Sequence, residues 1–240
     1  MCVIIYKPKG TNITNETLKQ CWDNNPDSGG FMFAHNGKLH VHKGFFSFGA
    51  LCKAFRKAEQ AYNENFVLHF RIATAGEIDH ENCHPFLVND NLGFVHNGIL
   101  NCVDVPLVSK KSDTAIFVEQ VLQKLPEDFL DRREYRILLE STAKQQSSKF
   151  AFLNSGGVCH IINEVAGSWQ QDTWFSNTYW KPAMSSHDRY TKDDRYTKDK
   201  FSGYECVWCG DYTDEIDHSY VEPVCERCAI ELDGANFAEV

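Results

Sequence analysis

The second residue of the chain is a cysteine. Initiator methionine is normally trimmed when the next residue is small. Trimming here would give Cys2 both a thiol and a free α-amine. An α-amine has an ordinary pKa of about 7.7–8.0 and can act as a general base near neutral pH, while a thiolate is a strong nucleophile. Taken alone, Cys2 is better read as an accidental second-position cysteine in a buried strand. Arg71 lies inside the apolar run Val67–Gly76. A guanidinium there needs an anion, either a carboxylate gripped by its fork or the partner in a structural salt bridge, and the two readings weigh equally. Asn97-Gly98 reads first as a hairpin turn, but an Asn amide beside a glycine N–H also offers two donors to an oxyanion. Asp113 either favours the start of a helix or binds an ammonium group.

A second constellation lies near the end. Cys206-x2-Cys209 and Cys225-x2-Cys228 are separated by 15 residues. Two such pairs read as a closed, tetrahedral Zn²⁺ site, with each CxxC a tight knuckle around one ion. Four thiolates leave no open position, so the expected zinc is structural; redox switching is the weaker use, and His218 reads as a loop residue. About 40 residues bury little core, so a metal would also be needed to fold them. The other cysteines are scattered, and without a secretory signal a disulfide framework is not expected.

Short strands and helices must position these groups. Cys2–Tyr6 is a β-type run ending at Lys7-Pro8. A dense turn signal spans Asn24–Gly30. Phe31–Ala34 and Leu39–His42 predict a hairpin around Asn36-Gly37. Phe48–Tyr62 has helical spacing with Leu51, Phe55 and Ala58 on one face. Val67–Thr74 predicts a strand, and Leu92–His96 with Ile99–Cys102 a hairpin around Asn97-Gly98. Ser112 caps a predicted helix carrying Ile116, Phe117, Val121 and Leu125. Residues 131–146 predict another helix. Phe150–Leu153 and Val158–Ile162 predict a hairpin, and Trp169–Phe175 closes the domain. Strands, two helices, then strands again predict an α+β layered architecture.

A boundary is expected near Tyr179. Beyond it, Asp188–Asp193 and Asp194–Asp199 are identical copies of a polar hexapeptide that cannot bury a core. Residues 201–240 hold ten acids against Arg227, a net −9, whereas residues 1–200 balance 23 acids with 23 bases. An acidic module repels phosphate, which argues against nucleic acid as partner. No apolar run approaches the roughly 20 residues of a membrane span. A cytoplasmic location is the default expectation.

Five segments occur in an order that resembles a known family: Cys2, Arg71–Gly76, Asn82-Cys83-His84-Pro85-Phe86, His96-Asn97-Gly98 and Ser112-Asp113-Thr114. Together with Asn25-Pro26-Asp27, Gly29-Gly30-Phe31 and Phe175-Ser176-Asn177, they are similar to the glutaminase domain of class II glutamine amidotransferases, in the N-terminal-nucleophile hydrolase superfamily. Many members read Thr-His-Gly where this chain has Thr74-Ala75-Gly76; the purine-pathway phosphoribosylpyrophosphate amidotransferases share the alanine. The resemblance implies a four-layer αββα sandwich over residues 2–180, followed by a linker at 181–200 and an acidic zinc module at 201–240. It implies that Cys2 attacks the side-chain amide of L-glutamine and that its α-amine carries the proton to departing ammonia. It implies that Asn97 and Gly98 hold the oxyanion, that Arg71 grips the substrate carboxylate with Thr74 nearby, and that Asp113 holds the α-ammonium. Nothing large enough for a synthase follows residue 180, so a separate ammonia-accepting synthase is expected, docked in part through the zinc module. Two alternatives stay open: hydrolysis of γ-glutamyl peptides or another amide, and a catalytically silent binding protein.

Overall fold

The computed structural model describes residues 2–106, 108–178 and 180–181, and in 201–240 only the backbone of four short strands. The first sheet has the order β3-β2-β4-β1-β10-β9. Its strands are β1 (Val3–Lys7), β2 (Ser28–His35), β3 (Lys38–Phe45), β4 (Phe66–Arg71), β9 (Ser168–Gln170) and β10 (Thr173–Phe175). The second has the order β5-β6-β7-β8, built from β5 (Phe86–Asn89), β6 (Leu92–Asn97), β7 (Lys149–Asn154) and β8 (Cys159–Ile162). Every pairing is antiparallel.

Alternation along the strands sorts side chains into three cores. Val3, Ile5, Phe31, Phe33, Phe66, Leu68 and Phe70 pack with Leu18, Trp22, Leu51 and Phe55 of helices α1 (Asn15–Asp23) and α2 (Phe48–Ala61). Phe94, Phe150 and Phe152 pack with Phe117, Val118, Leu139 and Ala143 of α3 (Asp113–Gln120) and α4 (Arg133–Gln145). The intervening positions Ile4, Met32, Val67, Val95, Ala151, Leu153 and Trp174 meet between the two sheets. A strand's side-chain period is two, so this segregation requires helix, sheet, sheet and helix in four layers. The outward faces carry most of the phenylalanines, and the inner faces carry mainly smaller side chains that let the sheets approach.

The same parity positions chemistry. Cys2 continues the inward series of Ile4, Arg71 that of Val67 and His69, and Asn97 that of Val95. All three fall on inner faces at strand ends. The register of β1 against β4, with Val3 opposite Phe70, brings Cys2 beside the chain just beyond Arg71.

Several expectations are met. Asn36 and Gly37 both have positive φ, 50° and 73°, as the predicted hairpin turn requires. Ser112 caps α3 through its hydroxyl oxygen as expected, and Thr14 and Ser47, not singled out from the sequence, cap α1 and α2 in the same way. Others are corrected. Ile99–Cys102 is not a strand; β6 pairs with β5 and β7 instead. Gly98 leaves the strand with φ 149°, and the Leu100 N–H goes to Asp113 Oδ2 at 2.7 Å rather than to a ladder. The β4 strand stops at Arg71, and the next residues form a loop whose Ala73 N–H donates to Asp27 Oδ2 at 2.7 Å. Ser28–Gly30 belong to β2, not to a turn. A Cβ on Gly30 would lie 2.2 Å from His84 O, so glycine there serves close backbone approach.

The 201–240 segment shows two short ladders, β11 (Tyr204–Glu205) with β12 (Tyr212–Thr213) and β13 (Ile216–Asp217) with β14 (Val224–Cys225). Tyr179, the tandem hexapeptides, Cys206, Cys209, Cys228 and the side chain of Cys225 lie outside the described residues. Among the described residues, no helix is long and apolar enough to cross a membrane.

Candidate active site

Cys2 Sγ sits 3.4 Å from both the amide nitrogen and the carbonyl oxygen of Ile72. Burial raises the thiol pKa, against smaller opposing contributions from the Ile72 backbone and the Arg71 charge. The cysteine therefore rests as a thiol and needs a base to become a nucleophile. Its own carbonyl accepts a 2.7 Å bond from Asn177 Nδ2.

One residue earlier, Ser176 ties three elements together. Its N–H donates to Ile4 O at 3.0 Å, and its Oγ accepts the Ile4 N–H at 2.8 Å. The same Oγ lies 2.7 Å from Asn97 Nδ2 at the end of β6. Asn97 on one sheet is thereby linked to the start of β1 on the other. Gly98 follows at a φ that disfavours any side chain. A Cβ there would fall 2.1 Å from Ser148 Oγ. Glycine is thus required on backbone and packing grounds together.

Arg71 is 3% exposed and donates to Glu77 O at 3.1 Å and Ala75 O at 2.8 Å. No carboxylate pairs with it among the described residues, so the structural salt bridge weighed from sequence is not what the fold provides. Asp113 is 7% exposed. Its acceptors are filled by Leu100 N–H, Thr114 N–H and Thr114 Oγ, all neutral. Among the described residues neither buried charge meets an opposite one, an arrangement that favours an outside partner.

A cavity of about 370 Å³ is lined by Thr74, Ala75, Ile99, Leu100, Val103 and Asp113, among others. It lies in the size range of small-molecule sites. It joins Thr74 to Asp113 directly. Arg71 approaches it through Ala75, and Gly98 through Ile99; Cys2 and Asn97 are not among the cavity-lining residues.

Residues without a role in the sequence reading hold the loops. Asn82 accepts Ser112 N–H at 2.6 Å and donates to Lys110 O at 2.8 Å, fastening the α3 cap to the loop after Arg71. Behind the site, His69 donates from Nε2 to His96 O at 2.9 Å, and its ring stacks on His84 at 3.9 Å between centroids. Burial lowers the pKa of His69 and of His96 to about 3, and lowers that of His84 well below the ordinary value.

Residues 47–158 match the family described as glutamine amidotransferases class-II. That stretch contains Arg71, Thr74, Asn97, Gly98 and Asp113, and Cys2 precedes it. No curated protein matches the chain. Among solved structures, the chain is similar to a glutamine phosphoribosylpyrophosphate amidotransferase from B. subtilis complexed with ADP and GMP. The two are 16% identical with a TM-score of 0.42, over 73% of this chain and 41% of that one. A second, described as the allosteric regulatory enzyme of purine biosynthesis, is 15% identical with a TM-score of 0.38, over 73% and 41%. The chain thus spans about two fifths of the length of each.

Proposed function

We propose that this chain is a class II glutamine amidotransferase-type enzyme of the N-terminal-nucleophile hydrolase kind, releasing ammonia from L-glutamine. The observation that carries this reading is a pair of buried charges with no opposite charge among the described residues: Asp113 lines the cavity, and Arg71, next to Cys2 across the β1–β4 ladder, reaches the carbonyl of cavity-lining Ala75. A carboxylate and an ammonium on one small molecule would compensate both. A free amino acid has that pair; a glutamine within a protein does not.

In the proposed mechanism, removal of Met1 frees the α-amine of Cys2. The amine takes the Sγ proton as Sγ attacks the side-chain amide carbon of glutamine. The carbonyl π electrons move onto oxygen, and Asn97 Nδ2 and Gly98 N–H stabilise that oxyanion. Collapse of the intermediate breaks the C–N bond, and the protonated amine gives its proton to the leaving nitrogen, which departs as ammonia. Water, deprotonated by the same amine, then hydrolyses the thioester to glutamate and restores the thiol. Glutamine activity is tested directly by measuring ammonia and glutamate release by the full chain.

Arg71→Met is expected to raise KM for glutamine by about 10- to 100-fold, the size of a lost charge-assisted bond of about 1.5–3 kcal/mol. The same substitution should leave hydrolysis of a γ-amide lacking the α-carboxylate unchanged. Steady-state kinetics on both substrates check this, and equal losses on the two would remove Arg71 from carboxylate binding. Similar turnover of glutamine and γ-glutamyl dipeptides would favour the γ-glutamyl hydrolase alternative.

Cys206, Cys209, Cys225 and Cys228 are proposed to hold one structural Zn²⁺. The donor set suits a closed thiolate site, and no step of the reaction passes through it. The ammonia is proposed to feed a separate synthase docked partly through this module. The full chain is expected to contain one zinc per molecule by metal analysis. A chain lacking residues 181–240 is expected to contain none, and to lose binding partners recovered with the intact protein. Identical partners for both would end the docking role.

A further inference from the structure

Beyond the residues assigned above, and resting on that reading of Cys2 and Asn97, we propose that Ser176 is the positioning residue that turns Asn97 into an oxyanion donor. Ser176 is fully buried, and its Oγ accepts the Ile4 N–H at 2.8 Å while touching Asn97 Nδ2 at 2.7 Å. Asn97 Oδ1 is also buried and has no hydrogen-bond partner among the described residues. In this arrangement Ser176 Oγ acts as acceptor, and the amide directs its oxygen away from Ser176. That end would repel an oxyanion.

A serine hydroxyl has one donor as well as two acceptor lone pairs. A half-turn of the Asn97 amide about Cβ–Cγ exchanges its two ends. The Ser176 O–H then donates to Oδ1 while Oγ still accepts from Ile4, and the orphaned carbonyl is satisfied. Nδ2 takes the outward place, with N–H donors free for the oxyanion. Ser176 can hold either orientation, so binding an oxyanion selects the second without any backbone movement. The Ile4 bond keeps Oγ fixed relative to the start of β1, and so relative to Cys2 two residues before.

The test is a double-mutant cycle in glutamine turnover by the full chain. Ser176→Ala is expected to lower kcat about 10- to 100-fold with KM within about threefold, part of the loss expected for removing an oxyanion donor outright. In the Asn97→Ala background the same substitution should change kcat by less than about threefold. The γ-aldehyde analogue of glutamine, whose carbonyl carbon bonds to Sγ and whose oxygen becomes the oxyanion, should bind Ser176→Ala more weakly by the kcat factor. Glutamate binding should stay unchanged. If Ser176→Ala does not accumulate folded, Ser176→Cys, close in size with a weak S–H donor, carries the same expectation. Equal fractional losses in both backgrounds, or a loss in KM alone, overturn the role of Ser176 and leave the glutaminase reading standing. No turnover of glutamine and no aldehyde adduct with the wild-type chain would overturn both.

Discussion

Cys2→Ala is expected to lower ammonia release from glutamine at least about a thousandfold, since removing the nucleophile of a covalent mechanism leaves only binding and oxyanion stabilisation. The fold should not change. Among the described residues the side chain's hydrogen-bonding contacts are the two 3.4 Å approaches to Ile72, and the substitution removes a single sulfur atom, so the thermal midpoint should stay within a few degrees of wild type. That separates lost chemistry from lost structure. The raised thiol pKa adds a second signature. A thiol that does not ionise by itself depends on the neutral α-amine, so kcat/KM should rise with pH through the amine's ordinary range of about 7.7–8.0. A chain retaining Met1 lacks that amine and should be inactive, which intact mass and activity measured on one sample will correlate. Ammonia release that survives in Cys2→Ala would remove the thioester from the mechanism, whatever the pocket binds.

What the chain disclosed before folding was the existence of its local elements. Cys2, Arg71 and Asn97 each sit in or beside a short apolar run legible as a strand, and the pairing of the strands then places all three on the inner faces. The α2 face of Leu51, Phe55 and Ala58 and the Ser112 cap were legible for the same reason: they are local patterns within one element. The failures are tertiary. Asn97-Gly98 carries a genuine hairpin signal, but the glycine is required by Ser148, 50 positions on, and its φ ends the strand. The β5 strand is four residues long between Pro85 and Asp90-Asn91, too short to show a period. Asp27, Asn82 and Ser176 resemble ordinary turn residues. Their partners Ala73, Ser112 and Asn97 are 30 to 79 residues distant, and no local pattern announces such bonds. For Ser176, the signal available was its place between Phe175 and Asn177 in a segment resembling the family, without a role attached.

The buried histidines lead to a steep acid limit on stability. His69, His84 and His96 lie among Arg71, Lys43 and Lys149, and those positive charges add to the burial that keeps the rings neutral. Their folded pKa values are depressed, near 3 for His69 and His96, while an unfolded histidine titrates near 6.5. Below pH 6.5 the unfolded chain therefore binds protons that the native chain refuses. The stability is fully present above that pH and is lost as pH falls. Each histidine contributes up to about 1.4 kcal/mol per pH unit, so His69 and His96 together remove roughly 5 kcal/mol between pH 6.5 and 4.5, and His84 acts in the same direction. That is comparable with the whole stability of a typical domain, about 5–15 kcal/mol. Urea denaturation midpoints should fall steeply from pH 6.5 to pH 5.5, above the range near 4 in which ordinary carboxylates titrate, and continue to fall towards pH 4.5. His84→Phe keeps an aromatic ring between His69 and Phe86 and removes two buried nitrogens without partners. Any packing cost of the larger ring is independent of pH, so its diagnostic is the slope, which should drop between pH 5 and 6. A wild-type midpoint that stays flat down to pH 4.5 would mean that the rings gain protons in the folded state. The interior between the sheets would then be open to water rather than closed behind Cys2.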